Sequence, residues 1–238
     1  VFTINSRNLL RDMIDTSEHN GLKISLNNNI KSIEGKGSYK LITGSRENIK
    51  ANKIAICCGA GIKKFSNVKV KTSYAPISIV SGVPEDYDSF VELDYFPKNC
   101  INILNKGNGF GLAGGISLAD KANSDKYLDY VLKAHQKIQP SISEESRYNG
   151  IKTEVTFKNQ PRGYLYHIVN TDLDTWVLVP GKFTLAFSMA PEFYRRIYKK
   201  NPKKYFKTIK SSNATSHKVS NTVWMDKYEE WRKSNGDD

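Results

Sequence analysis

The sequence predicts a mixed α/β fold, α+β in character, with a buried strand of a parallel sheet and a separate antiparallel sheet. Residues 54–58 form an uncharged run that ends in a Gly-x-Gly turn, as a strand covered on both faces does. Residues 68–113 hold several short apolar segments separated by polar or Gly/Pro turns, which indicate antiparallel strands. Residues 6–20 and 124–138 carry apolar residues at helical spacing.

Length and composition set the protein class. A chain of 238 residues, 39% hydrophobic and 25% charged, is long enough for one large or two small globular domains. No apolar run approaches the roughly 20 residues of a membrane helix, and no signal peptide opens the sequence. Because the first residue is Val1, we expect the chain to be processed, excised or incomplete at its start. The three cysteines (Cys57, Cys58 and Cys100) predict reduced thiols in a cytoplasmic protein, and no Cys/His spacing predicts a metal site.

The net charge of +12 admits several partners: nucleic acid, an acidic surface or an anionic ligand. Residues 199–238 contribute +5 of it. The chain holds no arginine-rich block and no nucleic-acid motif, so we interpret most of the lysines as solvated and expect no nucleic-acid partner.

The first 65 residues alternate between helix and strand. The helix over 6–20 is capped by Asn5 or Ser6 and ends before Gly21. Cys57 and Cys58, as neighbours on a buried strand, are expected to point to opposite faces. The strands predicted in this part cover residues 22–26, 30–34, 39–43 and 53–58.

This order of elements resembles the FAD-dependent oxidoreductases of the D-amino-acid oxidase type. The resemblance covers some sixty positions and is carried by residues 21–24, 30–33, 49–51 and 54–61, together with Thr43. It implies that residues 1–65 are part of an FAD-binding, Rossmann-like domain. It also implies that Ile30 contacts the adenine end of FAD through its backbone. The residues that it places near the dinucleotide are Cys58, Gly59, Ala60 and Gly61.

One unit of that family pattern is not found in this sequence. The family opens with a βαβ unit whose Gly-x-Gly-x-x-Gly loop holds the pyrophosphate at a helix N-terminus. Residues 107–111 are rich in glycine but are flanked by strand-like residues and not by a helix. We therefore expect an upstream chain or segment to carry the phosphate-binding unit.

The β-rich residues 66–150 resemble the family's substrate-binding domain, inserted as an antiparallel sheet. Strands are predicted over residues 68–74 and 76–80, followed by others up to residue 113, and the helix over 124–138 ends before Pro140. His135 lies on the apolar stripe of that helix, so we interpret it as a core histidine.

Residues 151–198 are predicted to return to the FAD-binding domain. Strands over 151–157, 164–169 and 176–179 lead to a glycine turn and a helix from residue 185, which we expect to kink or restart at Pro191. The turn resembles that of flavoprotein dehydrogenases with a Gly-Lys-x-Thr sequence, where it faces the flavin ring. The resemblance assigns this role to Gly181, Lys182, Phe183 and Thr184. A P-loop would require Gly-Lys-Ser/Thr, and Phe183 excludes it.

The resemblance implies an oxidoreductase that moves a hydride from a C–H bond beside an amine or hydroxyl to FAD. Its substrates would be amino acids, amines or 2-hydroxy acids. The residues predicted to contact the substrate are Arg162, Lys152, Tyr164 and Tyr166. Arg162 could clamp a carboxylate with two hydrogen bonds, and a tyrosine could hold or deprotonate the reacting group. The alternative is a non-catalytic fragment or a basic binding protein that has lost FAD.

Residues 199–238 are predicted to be a basic C-terminal extension. Trp224, Tyr228 and Trp231 stand at helical spacing near its end. We interpret this aromatic stripe as a packing surface and not as a site for bases.

Overall fold

The computed structural model describes residues 4–44, 48–93, 100–155, 165–203 and 218–235. The chain divides into two compact units. The sheet unit comprises the described residues within 1–22, 73–151 and 207–238, and the turn unit those within 23–72 and 152–206. In these ranges no helix has the length and apolar character needed to cross a membrane.

The predicted mixture of helices and sheets is confirmed. The helices are α1 Ser6–His19, α2 Ile62–Phe65, α3 Ser124–Ile138, α4 Phe183–Tyr198 and α5 Val223–Asn235. The strands are β1 Ile30–Glu34, β2 Tyr39–Thr43, β3 Ile49–Ala51, β4 Ile54–Ile56, β5 Lys71–Ser81, β6 Phe90–Leu93, β7 Cys100–Gly107, β8 Phe110–Gly115, β9 Ser143–Glu154, β10 His167–Asp172 and β11 Thr175–Val179.

The turn unit contains two three-stranded sheets. One is the antiparallel meander β1-β2-β3. The other has the order β10-β11-β4, in which β11 is antiparallel to β10 and parallel to β4. Their apolar faces share one core, which contains Tyr39, Ile54, Ile56, Ile62, Val70, Val177 and Val179.

The sheet unit is built on a five-stranded sheet in the order β6-β7-β8-β5-β9. α3 packs on this sheet through Val131, which lies in one core cluster with Ile103 and Ala113. The close approach requires a residue without a side chain at Gly115 of β8, because a Cβ there would clash with the hydroxyl oxygen of Tyr127 on α3. His135 is fully buried on α3, as its place on the apolar stripe predicts.

The C-terminal aromatic stripe also packs inside the sheet unit. The ring of Phe110 lies 4.9 Å from that of Tyr228 and 5.5 Å from that of Trp231, between centroids. Asn108 Nδ2 donates a hydrogen bond of 2.8 Å to the Tyr228 hydroxyl. The stripe is therefore a packing surface, and α5 covers β8 with it.

Several predicted boundaries are wrong. Residues 22–25 have no regular structure, and a turn follows at 26–27, where Asn27 adopts a left-handed φ of 57° that interrupts a strand. The strands predicted over 68–74 and 76–80 are the single strand β5, which runs through the buried Pro76. Residues 151–154 of the strand predicted over 151–157 are the end of the longer β9, and residues 156 and 157 lie outside the described ranges. Residue 164 also lies outside them, and the strand predicted over 164–169 begins at His167. α4 runs through Pro191 without a fresh start, and the kink given as the other outcome stays a prediction.

The central prediction of a strand buried on both faces is also wrong. β4 has only three residues, with Ile54 and Ile56 buried and Ala55 exposed. Cys57 and Cys58, expected within a buried strand, are both exposed and free. Burial is confined to the face of β4 that meets the core, where Ile54 and Ile56 pack in one cluster with Val177 and Val179.

Candidate functional site

The two glycine turns predicted from the sequence follow neighbouring parallel strands. Val177 of β11 is paired with Ile56 of β4, so the carboxyl ends of both strands lie at one edge of the sheet. Gly59–Gly61 follows β4, and Gly181 follows β11. In α/β sheets, ligands bind outside the carboxyl ends of the strands. This edge is therefore the candidate functional site.

The first turn is a short 3₁₀ helix, Gly59–Gly61, that continues into α2. Gly59 has a φ of 57°, a conformation in which only glycine is free of strain. A Cβ on Gly59 would lie 3.8 Å from the hydroxyl oxygen of Thr153. The end of β9 therefore lies beside this turn. Ala60 and Gly61 are exposed, so the turn presents its backbone to solvent.

The second turn leads into the N-terminus of α4. Gly181 has a φ of 67°, and Lys182 is the extended N-cap residue, without a side-chain hydrogen bond to the helix. Phe183 and Thr184 open the helix and are exposed. The first N–H groups of a helix have no partner within it and carry partial positive charge. This turn is therefore suited to an anion or an electron-rich oxygen.

Ile30 and Cys58, both predicted to contact the cofactor, line the same cleft. It has a volume of about 150 Å³, and apolar side chains form most of it. Lys64 Nζ donates a hydrogen bond of 3.2 Å to the carbonyl of Ile30, which fixes the start of β1 beside α2. The other residues of this apolar cleft are Ile33, Leu41, Ile54, Ala55, Ile56, Cys57 and Phe65.

Cys57 of this cleft is not activated. Although Cys57 reaches the surface, partial burial of its sulfur raises the pKa of the thiol, and the adjacent Cys58 raises it further. A thiol with a raised pKa stays protonated at neutral pH and is a poor nucleophile. The cleft therefore offers shape and apolar contact, without a reactive group at Cys57.

Two of the residues predicted to contact the substrate, Arg162 and Tyr164, lie outside the described residues. Tyr166 is half-buried just before β10. Its neighbour Leu165 has a carbonyl oxygen 3.5 Å from the position of a Cβ on Gly181. The structure therefore brings the segment of Tyr166 to the second turn.

Lys152, the fourth residue predicted to contact the substrate, is engaged elsewhere. It lies on β9 and forms an ion pair with Glu154. The side chains are only 18% and 3% exposed, respectively. The charge of Lys152 is thus balanced inside the chain, and β9 brings it near the first turn through its neighbour Thr153.

His167 is a titratable residue beside the site that the sequence reasoning missed. As the first residue of β10 it pairs with Val179, two residues before Gly181. Burial lowers the pKa of its imidazole, so the ring is neutral at neutral pH. The alternation of apolar and polar residues along this strand does not indicate that His167 lies near a functional site. Only the pairing of β10 with β11 places His167 near the second turn.

The charge of the turn unit fits an anionic ligand. Residues 23–72 and 152–206 hold 21 Lys and Arg but six Asp and Glu, a net charge of +15, whereas the rest of the chain carries −3. A field of this sign attracts anions to the unit. The open turns, the N-terminus of α4 and the apolar cleft together suit an anionic ligand that also carries an apolar group. Within the described ranges, no group of His, Cys, Asp and Glu side chains is placed to hold a metal ion.

Comparison with known proteins shows the fold. No family model and no curated protein sequence matches the chain. L-proline dehydrogenase from P. horikoshii superimposes with a TM-score of 0.60 at 12% identity, over 79% of this chain and 54% of that one. NikD, an unusual amino acid oxidase essential for nikkomycin biosynthesis, gives 0.58 at 10% identity over 79% and 55%. An FAD-dependent oxidoreductase from Pseudomonas aeruginosa gives 0.55 at 12% identity over 84% and 59%.

These likenesses cover most of the chain but only about half the length of the matched proteins. At such identities they establish the fold alone. The chain folds as the matched portion of an FAD-dependent oxidoreductase and of amino acid oxidases and dehydrogenases, and the fold class predicted from the sequence is confirmed.

Proposed function

We propose that this chain forms part of an FAD-dependent oxidoreductase of the D-amino-acid oxidase type, which oxidises a C–H bond beside an amine or a hydroxyl. One observation carries the proposal: the turns at Gly59–Gly61 and at Gly181 lie at the same edge of one parallel strand pair. Two separated sequence signatures thus meet at a single site. Amino acid oxidases and dehydrogenases among the structures of the same fold support this reaction class.

Each part of the site would hold a different part of the cofactor. Ile30 and Cys58 would enclose the adenine end in the apolar cleft, and the turn at Gly59–Gly61 would allow close approach to the dinucleotide. The N-terminus of α4, from Gly181 to Thr184, would stabilise negative charge on the flavin ring. When bound, FAD supplies the hydride acceptor, and the chain supplies position and charge.

Substrate contact would come from the segment before β10. Tyr166 would hold the reacting group, and Arg162 and Tyr164 complete the proposed set, with Arg162 on a carboxylate. His167, neutral because burial lowers its pKa, would accept a proton at a ring nitrogen. Lys152 would contribute to the site as an ion pair with Glu154, and this pair has no net charge.

The phosphate-binding unit would be supplied by polypeptide outside the 238 residues, placed at the edge of β4 that no described strand covers. The N–H of Ile54 donates to the carbonyl of Asp174, at 2.9 Å, on the side of β11. Alternate residues of a parallel strand bond to opposite neighbours, so the N–H and C=O of Ala55 point away from β11. An added parallel strand would satisfy them.

The test is FAD binding, followed by flavin absorbance and by quenching of flavin fluorescence. The chain is purified alone and together with a polypeptide that carries a Gly-x-Gly-x-x-Gly βαβ unit. We expect weak or no binding by the chain alone, and stoichiometric binding by the pair. Colourless protein in both preparations would overturn the proposal.

The net charge of +15 on the turn unit favours one rival, a basic binding protein without flavin. Retention of the colourless chain on DNA, falling steeply as the salt concentration rises, would identify that function instead. If DNA does not retain the chain at low salt concentration, the chain is not a nucleic-acid-binding protein of this kind.

A further inference from the structure

A second cleft lies in the turn unit, at the end of β11 opposite the glycine turns. Its volume is about 350 Å³, and three cationic residues line it: Lys53, Arg196 and Lys199. Asp174 is the one carboxylate among the described lining residues, and Lys53 already pairs with it. Arg196 and Lys199 therefore give the cleft a net positive charge.

Apolar side chains form part of the lining of this cleft. They are Leu173, Trp176 and Ile197, and Leu173 is 73% exposed. The ring of Trp176 is held edge-on against Phe193 of α4, at 5.9 Å between centroids. A volume of this size falls in the range of small-molecule sites, which combine apolar surface with a few placed polar groups.

Lys199 occupies a strained position. It caps the C-terminus of α4 with a φ of 55°, and its backbone N–H donates to the carbonyl of Arg195 at 2.9 Å. Glycine is the usual residue in this left-handed position, because a Cβ there is strained. Across the described residues, the amino group of Lys199 has no ion-pair partner. A lysine therefore occupies a backbone position that glycine would adopt without strain. Its amino group, without an ion-pair partner among the described residues, lies at the cleft.

We propose that this cleft binds a small organic anion, with its carboxylate or phosphate oxygens on Arg196 and Lys199 and its apolar body against Leu173 and Trp176. Arg196 Nε is engaged by Glu192 and Nη1 by the carbonyl of Ile168, which holds the guanidinium in place and leaves Nη2 for the ligand. The positive charge of the turn unit steers an anion towards it. The proposal is independent of the flavin site.

The test follows the three tryptophan indole N–H signals of the ¹⁵N-labelled chain by NMR, with Trp176 assigned from the Trp176→Phe variant. Sodium benzoate is the probe, benzyl alcohol the uncharged control, and sodium chloride the control for ionic strength. We expect benzoate to shift the Trp176 signal in a saturable manner and to leave Trp224 and Trp231 in place. Inorganic phosphate should bind more weakly, because it lacks the apolar body.

Lys199→Gly is the decisive variant, because it removes the charge and relieves the strain at once. We expect it to keep or raise the melting temperature and to weaken benzoate binding roughly five-fold. Lys200→Gly removes the same charge next to the cleft and should leave the affinity unchanged. Equal loss in both variants, an equal shift with benzyl alcohol, or a shift that sodium chloride reproduces would overturn the proposal. An unmoved Trp176 signal would do the same.

Discussion

Lys152 and Glu154, two residues apart on β9, form an ion pair that is largely withdrawn from water. Because alternate residues of a strand share a face, Thr153 between them points the other way, and its hydroxyl oxygen lies 3.8 Å from a Cβ position on Gly59. The pair and the first turn therefore flank the same end of β9. The stability of this ion pair therefore affects the geometry of the first turn.

Removing one member of this pair should be costly. Glu154→Gln leaves the amino group of Lys152 without its carboxylate in a nearly dry place, so we expect a loss of about 3 kcal/mol in the free energy of unfolding. Chemical denaturation followed by circular dichroism measures it. Lys152→Met combined with Glu154→Gln should recover most of the loss. The exposed pair Lys227–Glu230 is the control, and Lys227→Met should cost less than about 0.5 kcal/mol. Similar losses at both pairs would show that solvent screens Lys152.

Glycine substitutions separate backbone strain from cofactor binding. Gly181 and Gly37 both have positive φ, at 67° and 74°, and an alanine at either should cost about 1 kcal/mol of stability. Only Gly181→Ala places a methyl group in the site, 3.5 Å from the carbonyl oxygen of Leu165. In the preparation that binds FAD, we expect its affinity for FAD to fall about ten-fold, with no change for Gly37→Ala. Fluorescence titration measures both, and an equal effect would remove the second turn from the site.

His135 should make the chain less stable in acid. Its Nε2 donates to the carbonyl of Asn102 at 3.1 Å, while Nδ1 is buried without a partner among the described residues. Burial lowers the pKa of the ring, against the opposing effects of the Asn102 carbonyl and of Glu92. The unfolded chain therefore binds a proton more readily than the folded one below pH of about 6.5.

The contribution of His135 to stability should thus be constant above neutral pH and should fall as the pH drops below about 6.5, by up to about 1.4 kcal/mol per pH unit. Thermal melts at several pH values measure it. His135→Gln keeps a donor for Asn102 and should lose this slope. His167 shifts in the same direction, so the difference between His135→Gln and the parent chain isolates His135. An unchanged slope in the variant would contradict the prediction.

α5 should be needed for the stability of the sheet unit. Trp231→Ala removes a ring that lies 5.5 Å from Phe110, and we expect a loss of about 3 kcal/mol. Tyr228→Phe removes only the hydrogen bond from Asn108 and should cost about 1 kcal/mol. Lys233→Ala, on the exposed side, serves as the control. If Trp231→Ala behaves like Lys233→Ala in urea titrations, α5 contributes little to the sheet unit.

Sequence patterns predicted elements whose partners are local. The helix over 124–138 matches α3 in full, because its apolar stripe is set by residues three and four apart. Asn5 caps α1, with its side chain accepting from the N–H of Asn8 at 3.1 Å. Strands that depend on distant partners were less predictable: residues 22–25 alternate but form no strand, and Pro76 lies inside β5.

The candidate site shows the same limit. The two glycine turns were visible because glycine is the residue that tolerates their backbone angles. The sequence did not indicate that the two turns lie at the same edge of the sheet. That arrangement follows from the pairing of Val177 with Ile56, which are more than a hundred residues apart. The same holds for His167, which reaches the site only through its pairing with Val179.

The short edge strand β4 offers a direct reporter of assembly. The amide of Ala55 faces away from β11, so in the isolated chain it should exchange its hydrogen with deuterium freely, while the amide of Ile54 is protected by Asp174. A polypeptide strand docked against β4 would slow exchange at Ala55 and leave Ile54 unchanged. Hydrogen exchange at Ala55 alone therefore reports whether a strand is docked against β4, and the measurement needs neither bound flavin nor enzymatic activity.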